Sequence, residues 1–443
     1  MSFSRVDECF EGRRIGKLFL SNIEIAKGSN GTVVLEGVYG GRPVAVKRLV
    51  RAHHDVAFKE IENLIASDQH SNIVRWFGVE YDTDFVYIAL ERCTCSLNDL
   101  ILVCSDSSVP ASPYQTQIQN QKTEYKISLK GIDGVVELWK PDGCPTPQLL
   151  KIMRDVVSGL AHLHELGIIH RDIKPQNVLI TNNRCLSAKL SDMGISKRLP
   201  QDMSSLGHHA TGSGSSGWQA PEQLLHGRQT RAVDLFSLGC VLFFCITKGR
   251  HPFGSHYERD SNVINNRVDL FLVEHIPEAV HLFSILLDRD PEKRPRAAEV
   301  LQHPLFWSPE MRLSFLRDTS DRVELEERES DSQLLRALES IGQAAFGGRW
   351  GNKLEAPFIM DISRYRRYRF ESTRDLLRVI RNKLNHYMEL PRALQELLGS
   401  VPDGFDKYFS TRFPRLLMEV YKVMYWHCRD DDSFRKYFKS TEN

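Results

Sequence analysis

The sequence lacks both a long apolar run and a cysteine framework. Its longest uninterrupted apolar stretch, from Cys240 to Ile246, is far below the roughly 20 residues of a membrane-spanning helix. The N-terminal segment MSFSRVDECF has no apolar core of the signal-peptide kind. The nine cysteines are scattered, with one close pair at Cys93 and Cys95, and predict neither a disulfide scaffold nor a zinc site. We expect free thiols in a reducing compartment.

An excess of charge of either sign is also missing. The chain has 58 Lys and Arg residues against 57 acidic residues. Its composition therefore gives no argument for nucleic-acid or membrane binding over the whole surface, and any such site must be local. At 443 residues the chain is long enough for two or three domains, and we expect two.

The composition changes along the chain. Short β-type runs broken by Gly extend from Leu18 to about Leu102, with one helical stretch near 56–66, and they predict a small sheet-rich lobe. Residues from about 103 to 147 are rich in Ser, Gln, Thr, Pro and Gly and predict a flexible insertion. Helical periodicity then dominates at 149–306.

Two short motifs in the first lobe are typical of phosphate binding. The segment AKGSNGTV at 26–33 lies between two β-type runs, and its glycines let a hairpin close over phosphate oxygens. The segment VAVK at 44–47 is an apolar strand that ends in a cation, with Glu60 on the helix that follows. Tight turns and surface lysines are common, so the order of the motifs carries more weight than either one.

The segment HRDIKPQN at 170–177 places a carboxylate, a cation and an amide close together. Asp172 can accept the proton of a substrate hydroxyl, Lys174 can neutralise a transferring phosphoryl group, and Asn177 can bind magnesium. The segment SDMG at 191–194 follows, and its Asp192 is a second candidate magnesium ligand.

The same order continues with APE at 220–222, Asp234 and Arg294, and the whole set resembles the eukaryotic protein-kinase family from residue 18 to residue 307. The resemblance implies a bilobal α+β fold that uses ATP or ADP with Mg²⁺. Met193 departs from the family pattern, which has Phe there, so the switch at this segment is expected to be tuned differently. The implied nucleotide-binding residues are Ala26, Gly28, Gly31, Val33, Ala45, Lys47, Glu60, Glu91, Cys93, Asn177 and Asp192, with Asn177 and Asp192 also binding the metal.

A polar segment between Asp192 and Glu222 predicts autophosphorylation. Phosphates added to its hydroxyl groups could pair with Arg171 and order the segment. A flexible polar loop accounts equally well for any single hydroxyl. The candidate acceptors are Ser204, Ser205, Thr211, Ser213, Ser215 and Ser216.

About 136 residues follow Trp307, enough for a helical domain with its own core. Residues 361–388 hold eight Lys or Arg against three acidic residues, a local excess of five positive charges, with aromatic residues in between. This mixture suits phosphate attraction and base stacking. A solvated helix face explains the same composition, and composition alone leaves both interpretations open.

The segments LSFLRDTSDRVE, RDLLRVIRNKLNHY, LPRALQELLG and YFSTRFPRLLMEVY resemble the kinase-extension nuclease domain of the inositol-requiring stress sensors and of ribonuclease L. The resemblance covers residues from about 308 to 437. It implies metal-independent RNA cleavage, with a 2′,3′-cyclic phosphate and a 5′-hydroxyl as products, by Tyr368, Arg381, Asn382 and His386.

The chemistry of these four side chains suits such roles. His386 suits the general acid, Arg381 and Asn382 suit phosphate or ribose binding, and Tyr368 is the expected partner in proton transfer. On a straight helix, however, Arg381 and His386 would point roughly 140° apart. A lone His or Tyr is also more often structural, so the assignment depends on the resemblance.

The resemblances together imply an α+β chain in which a bilobal protein-kinase fold is followed by an all-α nuclease domain. The expected parts are a juxtamembrane tail at 1–17, a kinase domain at 18–307, the flexible insertion at about 103–147 within it, a nuclease domain at 308–437 and a tail at 438–443. The insertion and the Met193 variant look closest to plant members of the stress-sensor family.

The family resemblance further implies homodimers and higher oligomers, favoured by nucleotide binding and trans-autophosphorylation. Such assemblies would cut a stem-loop RNA for unconventional mRNA splicing in the unfolded protein response. The full-length protein would lie in the endoplasmic-reticulum membrane through a segment upstream of Met1, with this portion in the cytosol. Two alternatives stay open, a kinase whose C-terminal domain only docks partners and a nucleotide-sensing pseudokinase scaffold that regulates the nuclease.

Overall fold

The computed structural model describes residues 11–27, 32–50, 54–105, 136–182, 185–198, 214–326 and 332–438. They form two compact units, one within 1–270 and 283–297 and the other within 271–282 and 298–443. The predicted site residues Gly28 and Gly31, most of the insertion, the hydroxyls at 204, 205, 211 and 213, and the segments 1–10 and 439–443 lie outside the described residues. The domain boundaries proposed above stay predictions.

The first unit begins with an antiparallel sheet. Its strands are β1 Gly12–Ile15, β2 Leu18–Lys27, β3 Val33–Tyr39, β4 Arg42–Val50, β5 Trp76–Tyr81 and β6 Phe85–Glu91, in the order β1-β2-β3-β4-β6-β5. Val44 and Val46 of β4 are fully buried in the core of this sheet. Because side chains alternate along a strand, Ala45 and Lys47 point to the other face. Helix α1, His54–Ser67, carries Glu60.

The rest of this unit is mainly helical, with short strands around the catalytic segments. Helix α3, Pro147–Glu165, begins at a capping residue, because the Thr146 side chain accepts a hydrogen bond from Leu149 N–H and Pro147 takes the first helical position. Helix α5 is buried along nearly all of its length. The helices are α2 Leu97–Cys104, α3 Pro147–Glu165, α4 Pro221–Leu224, α5 Ala232–Ile246 and α6 Arg259–Ile264, with α7 Pro277–Leu286 and α8 Ala297–Leu301 contributing residues to both units.

Four short strands between 168 and 198 are the part that the helical periodicity of 149–306 did not predict, and a fifth, at 95–96, lies in the region predicted to be sheet-rich. Strands β9 (Val178–Asn182) and β10 (Leu186–Leu190) form a hairpin that also pairs with β7 (Cys95–Ser96), and β8 (Ile168–Ile169) pairs with β11 (Lys197–Arg198). The loops after β8 and β10 contain the HRD and DMG segments.

Among its described residues, the second unit contains helices and no β-strand. Its aromatic core includes Phe315, Phe358, Phe405 and the fully buried Trp350. The indole N–H of Trp350 donates to the carbonyl oxygen of Ser372 at 3.1 Å. The further helices are α9 Pro309–Leu325, α10 Gln333–Ser340, α11 Gly342–Phe346, α12 Ala356–Tyr365, α13 Thr373–Asn385, α14 Arg392–Leu398, α15 Asp403–Arg412, α16 Leu416–Cys428 and α17 Arg435–Phe438.

The predicted fold class, a sheet-rich lobe and a helical lobe followed by an all-α domain, is confirmed. Within the described ranges, none of the helices combines the length and the hydropathy needed to cross a bilayer.

Candidate active sites

Strand β4 and helix α1 bring the predicted phosphate-binding lysine to a buried carboxylate. Lys47 Nζ lies 2.7 and 2.8 Å from the carboxylate oxygens of Glu60 and 2.7 Å from Oδ1 of Asp192. Burial lowers the pKa of Lys47, but the negative charges of Glu60 and Asp192 outweigh this effect and hold its pKa above the ordinary value. The positive charge of Lys47 in turn lowers the pKa of Asp192 to about 2. Lys47 and Asp192 are therefore both charged at neutral pH.

The loop after β8 holds the predicted catalytic carboxylate. Oδ2 of Asp172 accepts hydrogen bonds from Lys174 Nζ and from Asn177 Nδ2, both at 2.8 Å, and Oδ1 accepts one from the backbone N–H of Ser215 at 3.0 Å. Lys174 also donates to the hydroxyl of Ser215. A carboxylate, an ammonium and a hydroxyl thus meet at one point, as a site that removes a proton from an alcohol requires.

The backbone of this loop is fixed by a buried carboxylate at the start of α5. Asp234 accepts hydrogen bonds from the backbone N–H groups of His170, at 2.8 Å, and Arg171, at 2.7 Å. Arg171 has a φ of 69°, a left-handed conformation that is costly for any residue with a Cβ. Asp234 compensates this strain and so positions Asp172, which follows directly.

Asn177 and Asp192 offer the oxygen atoms that Mg²⁺ prefers. Asn177 uses its amide nitrogen to donate to Asp172, which leaves its amide oxygen for a cation. The side chain of Asp192 is 45% exposed although Oδ1 contacts Lys47, so the carboxylate is accessible. The two residues fit a magnesium ion whose other ligands come from nucleotide phosphates and water.

Met193 packs against the end of α1. It is fully buried, and its sulfur lies 4.0 Å from the hydroxyl oxygen of Ser67. Because α1 also carries Glu60, the packing of this methionine is coupled to the position of the carboxylate that holds Lys47.

The remaining nucleotide-binding candidates lie on the sheet or just after it. Glu91 ends β6, and its carboxylate forms an ion pair with Lys189 at 3.0 Å. The Sγ atom of Cys93 lies 3.8 Å from the carbonyl oxygen of Glu91, and burial raises the pKa of its thiol to about 12. The thiol is therefore protonated and unreactive. The described candidates of this group are Ala26, Val33, Ala45, Glu91 and Cys93.

Two of the predicted phosphate acceptors are engaged by other groups. Ser215 binds Lys174, and Ser216 donates to Oδ2 of Asp260 at 2.6 Å. Arg171, the expected phosphate partner, is 3% exposed, and its Nε donates to Gln229 at 3.0 Å. A phosphate that paired with Arg171 would have to replace such contacts, and phosphorylation of this segment stays a prediction.

In the second unit, a chain of contacts joins three of the four predicted nuclease residues. Oδ1 of Asn382 accepts hydrogen bonds from two guanidinium nitrogens of Arg381, each at 3.2 Å. Nδ2 of Asn382 lies 3.5 Å from the phenol oxygen of Tyr368, a long contact. Tyr368 in turn packs edge-on against the buried Trp350, so the core of the unit fixes one end of the chain.

His386 lies one turn further along, where α13 ends. Its backbone N–H donates to the carbonyl oxygen of Asn382 at 3.1 Å, and its Nδ1 lies 3.0 Å from a carboxylate oxygen of Glu389. The side chain is 63% exposed and forms no hydrogen bond with Tyr368, Arg381 or Asn382, all of which are described. The guanidinium of Arg381 folds back onto Asn382, and the angular separation expected between Arg381 and His386 stays a prediction.

Acidic residues that sequence reasoning missed hold α13 in place. The buried Arg378 donates to both carboxylate oxygens of Glu324 on α9 and to Asp375 at 2.8 Å. Glu339 accepts from the hydroxyl of Ser372 at 2.7 Å, at the start of α13. Part of the basic excess at 361–388 is thus internal structure. In the sequence, Asp321 and Glu324 are three positions apart, as are Arg378 and Arg381. The sequence does not show, however, that the helices carrying these two pairs pack against each other.

The chain was compared with known protein families and with curated proteins. Residues 20–306 match the family described as "Protein kinase domain", and residues 312–438 match the family described as "Ribonuclease 2-5A". The chain is 66% identical to the serine/threonine-protein kinase/endoribonuclease IRE1a of Arabidopsis thaliana, over 97% of this chain and 51% of that protein. It is 64% identical to the IRE1 protein of Oryza sativa subsp. japonica, over 96% and 45%.

A third relative is covered over most of its length. The chain is 43% identical to an Arabidopsis thaliana protein named "Inactive serine/threonine-protein kinase/endoribonuclease IRE1-like", over 95% of this chain and 78% of that protein. The chain spans about half the length of the first two relatives. Since the kinase family model matches more than half of the chain and the third relative is covered over 78% of its length, the chain belongs to the protein kinase family and, within it, to the family of IRE1-type kinase/endoribonucleases.

Proposed function

We propose that this chain is a bifunctional enzyme, a serine/threonine protein kinase and a metal-independent endoribonuclease of the unfolded protein response. The observation that carries the proposal is the presence of two separate sets of reactive groups. Lys47, Asp172 and Asp192 lie in the first unit, and the contact chain that ends at Arg381, with His386 one turn away, lies in the second.

In the kinase reaction, the hydroxyl oxygen of a Ser or Thr attacks the γ-phosphorus of ATP, and Asp172 accepts the proton of that hydroxyl. Lys174 stabilises the charge on the transferred phosphoryl group, and ADP leaves. Lys47, oriented by Glu60, binds the α- and β-phosphates. Mg²⁺ held by Asn177 and Asp192 would neutralise phosphate charge. Ala26, Val33, Ala45, Glu91 and Cys93, with Gly28 and Gly31, would enclose the nucleotide.

In the nuclease reaction, the 2′-oxygen of a ribose attacks the adjacent phosphorus and the 5′-oxygen leaves. The proton of the 2′-hydroxyl passes to a base, for which the phenolate form of Tyr368 is our candidate, and the imidazolium form of His386 protonates the departing 5′-oxygen. Arg381 binds the phosphate, whose negative charge grows in the transition state, and Asn382 orients it. The products are a 2′,3′-cyclic phosphate and a 5′-hydroxyl, and no metal ion takes part.

The two activities would be coupled by assembly. Nucleotide binding and trans-autophosphorylation favour homodimers and higher oligomers, and these cut a stem-loop RNA in unconventional mRNA splicing. In the full-length protein this portion would face the cytosol at the endoplasmic-reticulum membrane, attached through an upstream segment. The differential affinity of ATP or ADP for the assembled form would supply the coupling free energy.

The test is cleavage of a fluorogenic stem-loop RNA in EDTA with ADP, comparing the natural sequence with His386→Asn at several protein concentrations. We expect the natural sequence to cut, more steeply than linearly with concentration, and the variant to be inactive. His427→Asn is a matched control, because His427 is an exposed histidine on α16 of the same unit. If neither protein cuts while phosphate transfer continues in magnesium, the second unit is a docking module and the nuclease assignment is wrong.

A further inference from the structure

Two acidic residues of α9 face two arginines of α13. Asp321 and Glu324 are three positions apart, as are Arg378 and Arg381. Glu324 contacts Arg378 through both carboxylate oxygens, and Oδ1 of Asp321 lies 3.0 Å from a terminal nitrogen of Arg381. Because residues three apart share a helix face, the packing of α9 on α13 produces two parallel ion pairs.

The two pairs differ in exposure. The side chain of Arg378 is 1% exposed and that of Glu324 is 24% exposed. The hydrogen bonds from Arg378 hold the pKa of Glu324 below its ordinary value. Asp321, in contrast, is 58% exposed, and Arg381 is 16% exposed. An ion pair that involves a buried arginine is costly to break, whereas an exposed one is worth little. The first pair is structural, and the second can exchange its anion.

Each of the three guanidinium nitrogens of Arg381 donates a hydrogen bond in this arrangement, which uses three of its five N–H groups. Nε and one terminal nitrogen donate to Asn382, and the other terminal nitrogen donates to Asp321. Glu324 lies farther away, at 3.7 Å. A phosphate that binds Arg381 through two parallel hydrogen bonds therefore either replaces one of these acceptors or shares a terminal nitrogen with Asp321. Asp321 is the exposed one, and it carries the same charge as the phosphate.

We propose that Asp321 is an exchangeable counter-ion of the nuclease site, which occupies Arg381 until an RNA phosphate displaces it. The inference rests on the proposed ribonuclease function and deepens it. Asp321 keeps Arg381 oriented and neutralised in the free protein, and it weakens binding to phosphates that cannot outcompete a carboxylate. It acts through Arg381 and does not touch the RNA.

The proposal predicts a modest change in RNA affinity and a specific change in the salt dependence of RNA binding. Replacing Asp321 by Asn removes the competing charge, so RNA binding should strengthen roughly two- to fivefold, the range set by exposed ion pairs. In the natural protein, the released carboxylate takes up a cation when RNA binds, which offsets part of the counter-ion release from the RNA. Without that carboxylate, the slope of log affinity against log salt concentration should become steeper by up to about 0.7 to 0.9.

The probe is a fluorescein-labelled 2′-O-methyl RNA stem-loop with a randomised loop, which binds but lacks the 2′-hydroxyl that the reaction needs. Fluorescence anisotropy at several KCl concentrations would compare the natural chain with Asp321→Asn and with Glu310→Gln. Glu310 is an exposed carboxylate at the start of α9, so its variant makes the same change in net charge away from α13. Tighter binding and a steeper slope for Asp321→Asn alone are the expected results.

A double variant makes the test specific. In an Arg381→Gln background, Asp321→Asn should have no further effect on binding, because the competed cation is gone. Equal affinities and slopes for the natural chain and Asp321→Asn would overturn the inference, as would an equal gain in both backgrounds. A change in oligomeric state that explains the gain, measured by sedimentation at the same concentrations, would also overturn it.

The proposed function is tested separately in the same samples. Cleavage of the matching 2′-hydroxyl RNA reports whether the chain is a nuclease at all, and anisotropy reports whether Asp321 competes with the phosphate. If the natural chain cuts RNA and Asp321→Asn binds no tighter, this inference alone is wrong. If the chain binds the probe but cuts nothing, the nuclease function is wrong whatever Asp321 does.

Discussion

The two candidate sites hold their charged groups in opposite ways. In the first unit, Lys47 is 8% exposed and Glu60 is 1% exposed. In the second, the side chains of His386 and Glu389 are 63% and 75% exposed. A buried charge is tolerated only with its partners in place, so the kinase set is assembled as the chain folds. The exposed imidazole has no such constraint. We infer that folding organises the first site, whereas the RNA that binds completes the second.

The sharpest test of this comparison is to remove one proton-transfer group from each site. Asp172→Asn should lower autophosphorylation by about 10²- to 10⁴-fold and leave RNA cleavage with ADP intact, and His386→Asn should do the reverse. Phosphate incorporation from radiolabelled ATP and fluorogenic RNA cleavage measure the two reactions in the same preparations. Loss of phosphate transfer in His386→Asn would contradict the separation of the sites.

The second unit also contains a buried charge, that of Arg378, which belongs to its structural core and not to its exposed reactive residues. Arg378→Met leaves Glu324 and Asp375 without their common cation and should destabilise the unit by about 3 to 5 kcal/mol. Hydrogen exchange of the α13 amides against denaturant measures this loss. Arg364→Met, at the exposed end of α12, is the matched control and should change exchange little. Similar protection in both variants would mean that the ion pairs of Arg378 do not hold the helix.

A smaller effect is expected where a hydroxyl supports the kinase site. Ser215→Ala removes the oxygen that accepts from Lys174 but keeps the backbone N–H that donates to Asp172. Loss of a hydrogen bond to a charged group costs about 1.5 to 3 kcal/mol, or roughly 10- to 100-fold in kcat. Ser216→Ala is a close control, because that hydroxyl binds Asp260 instead. If the two variants behaved alike, the contact between Ser215 and Lys174 would have no role in phosphate transfer.

The order of the motifs, through its resemblance to the kinase family, was enough to predict the fold class and the placement of Glu60 beside Lys47. It did not predict that Lys47 also contacts Asp192, or that Lys174, Asn177 and Ser215 bind Asp172. The neighbours of Arg381 were not predictable in this way. Asp321 and Glu324 read as ordinary charges of a polar helix, and only the packing of α9 against α13 gives them partners. The position of His386 also depended on where α13 ends, and helix ends are the least regular part of a periodic pattern.

The smallest expected effect tests the exposed edge of the second site directly. Glu389 contacts Nδ1 of His386, so Glu389→Gln keeps the shape of the side chain and removes the charge that holds the ring. Because the pair is exposed, we expect kcat for RNA cleavage to fall only about two- to fivefold, with no rise in KM. Glu396→Gln, which alters an exposed ion pair with Arg392 on α14, should leave both constants unchanged.

The same chemical change in the first unit gives the contrast. Glu60→Gln removes the buried carboxylate that orients Lys47 toward the phosphates, so phosphate transfer should fall by at least about 100-fold. The two variants are compared by the fold-loss that Glu60→Gln causes in phosphate transfer and the fold-loss that Glu389→Gln causes in RNA cleavage. Equal losses would contradict the conclusion that folding organises the first site and not the second. If the loss caused by Glu60→Gln exceeds the loss caused by Glu389→Gln by more than about tenfold, the His386 imidazole is oriented chiefly by the bound RNA and not by the Glu389 carboxylate.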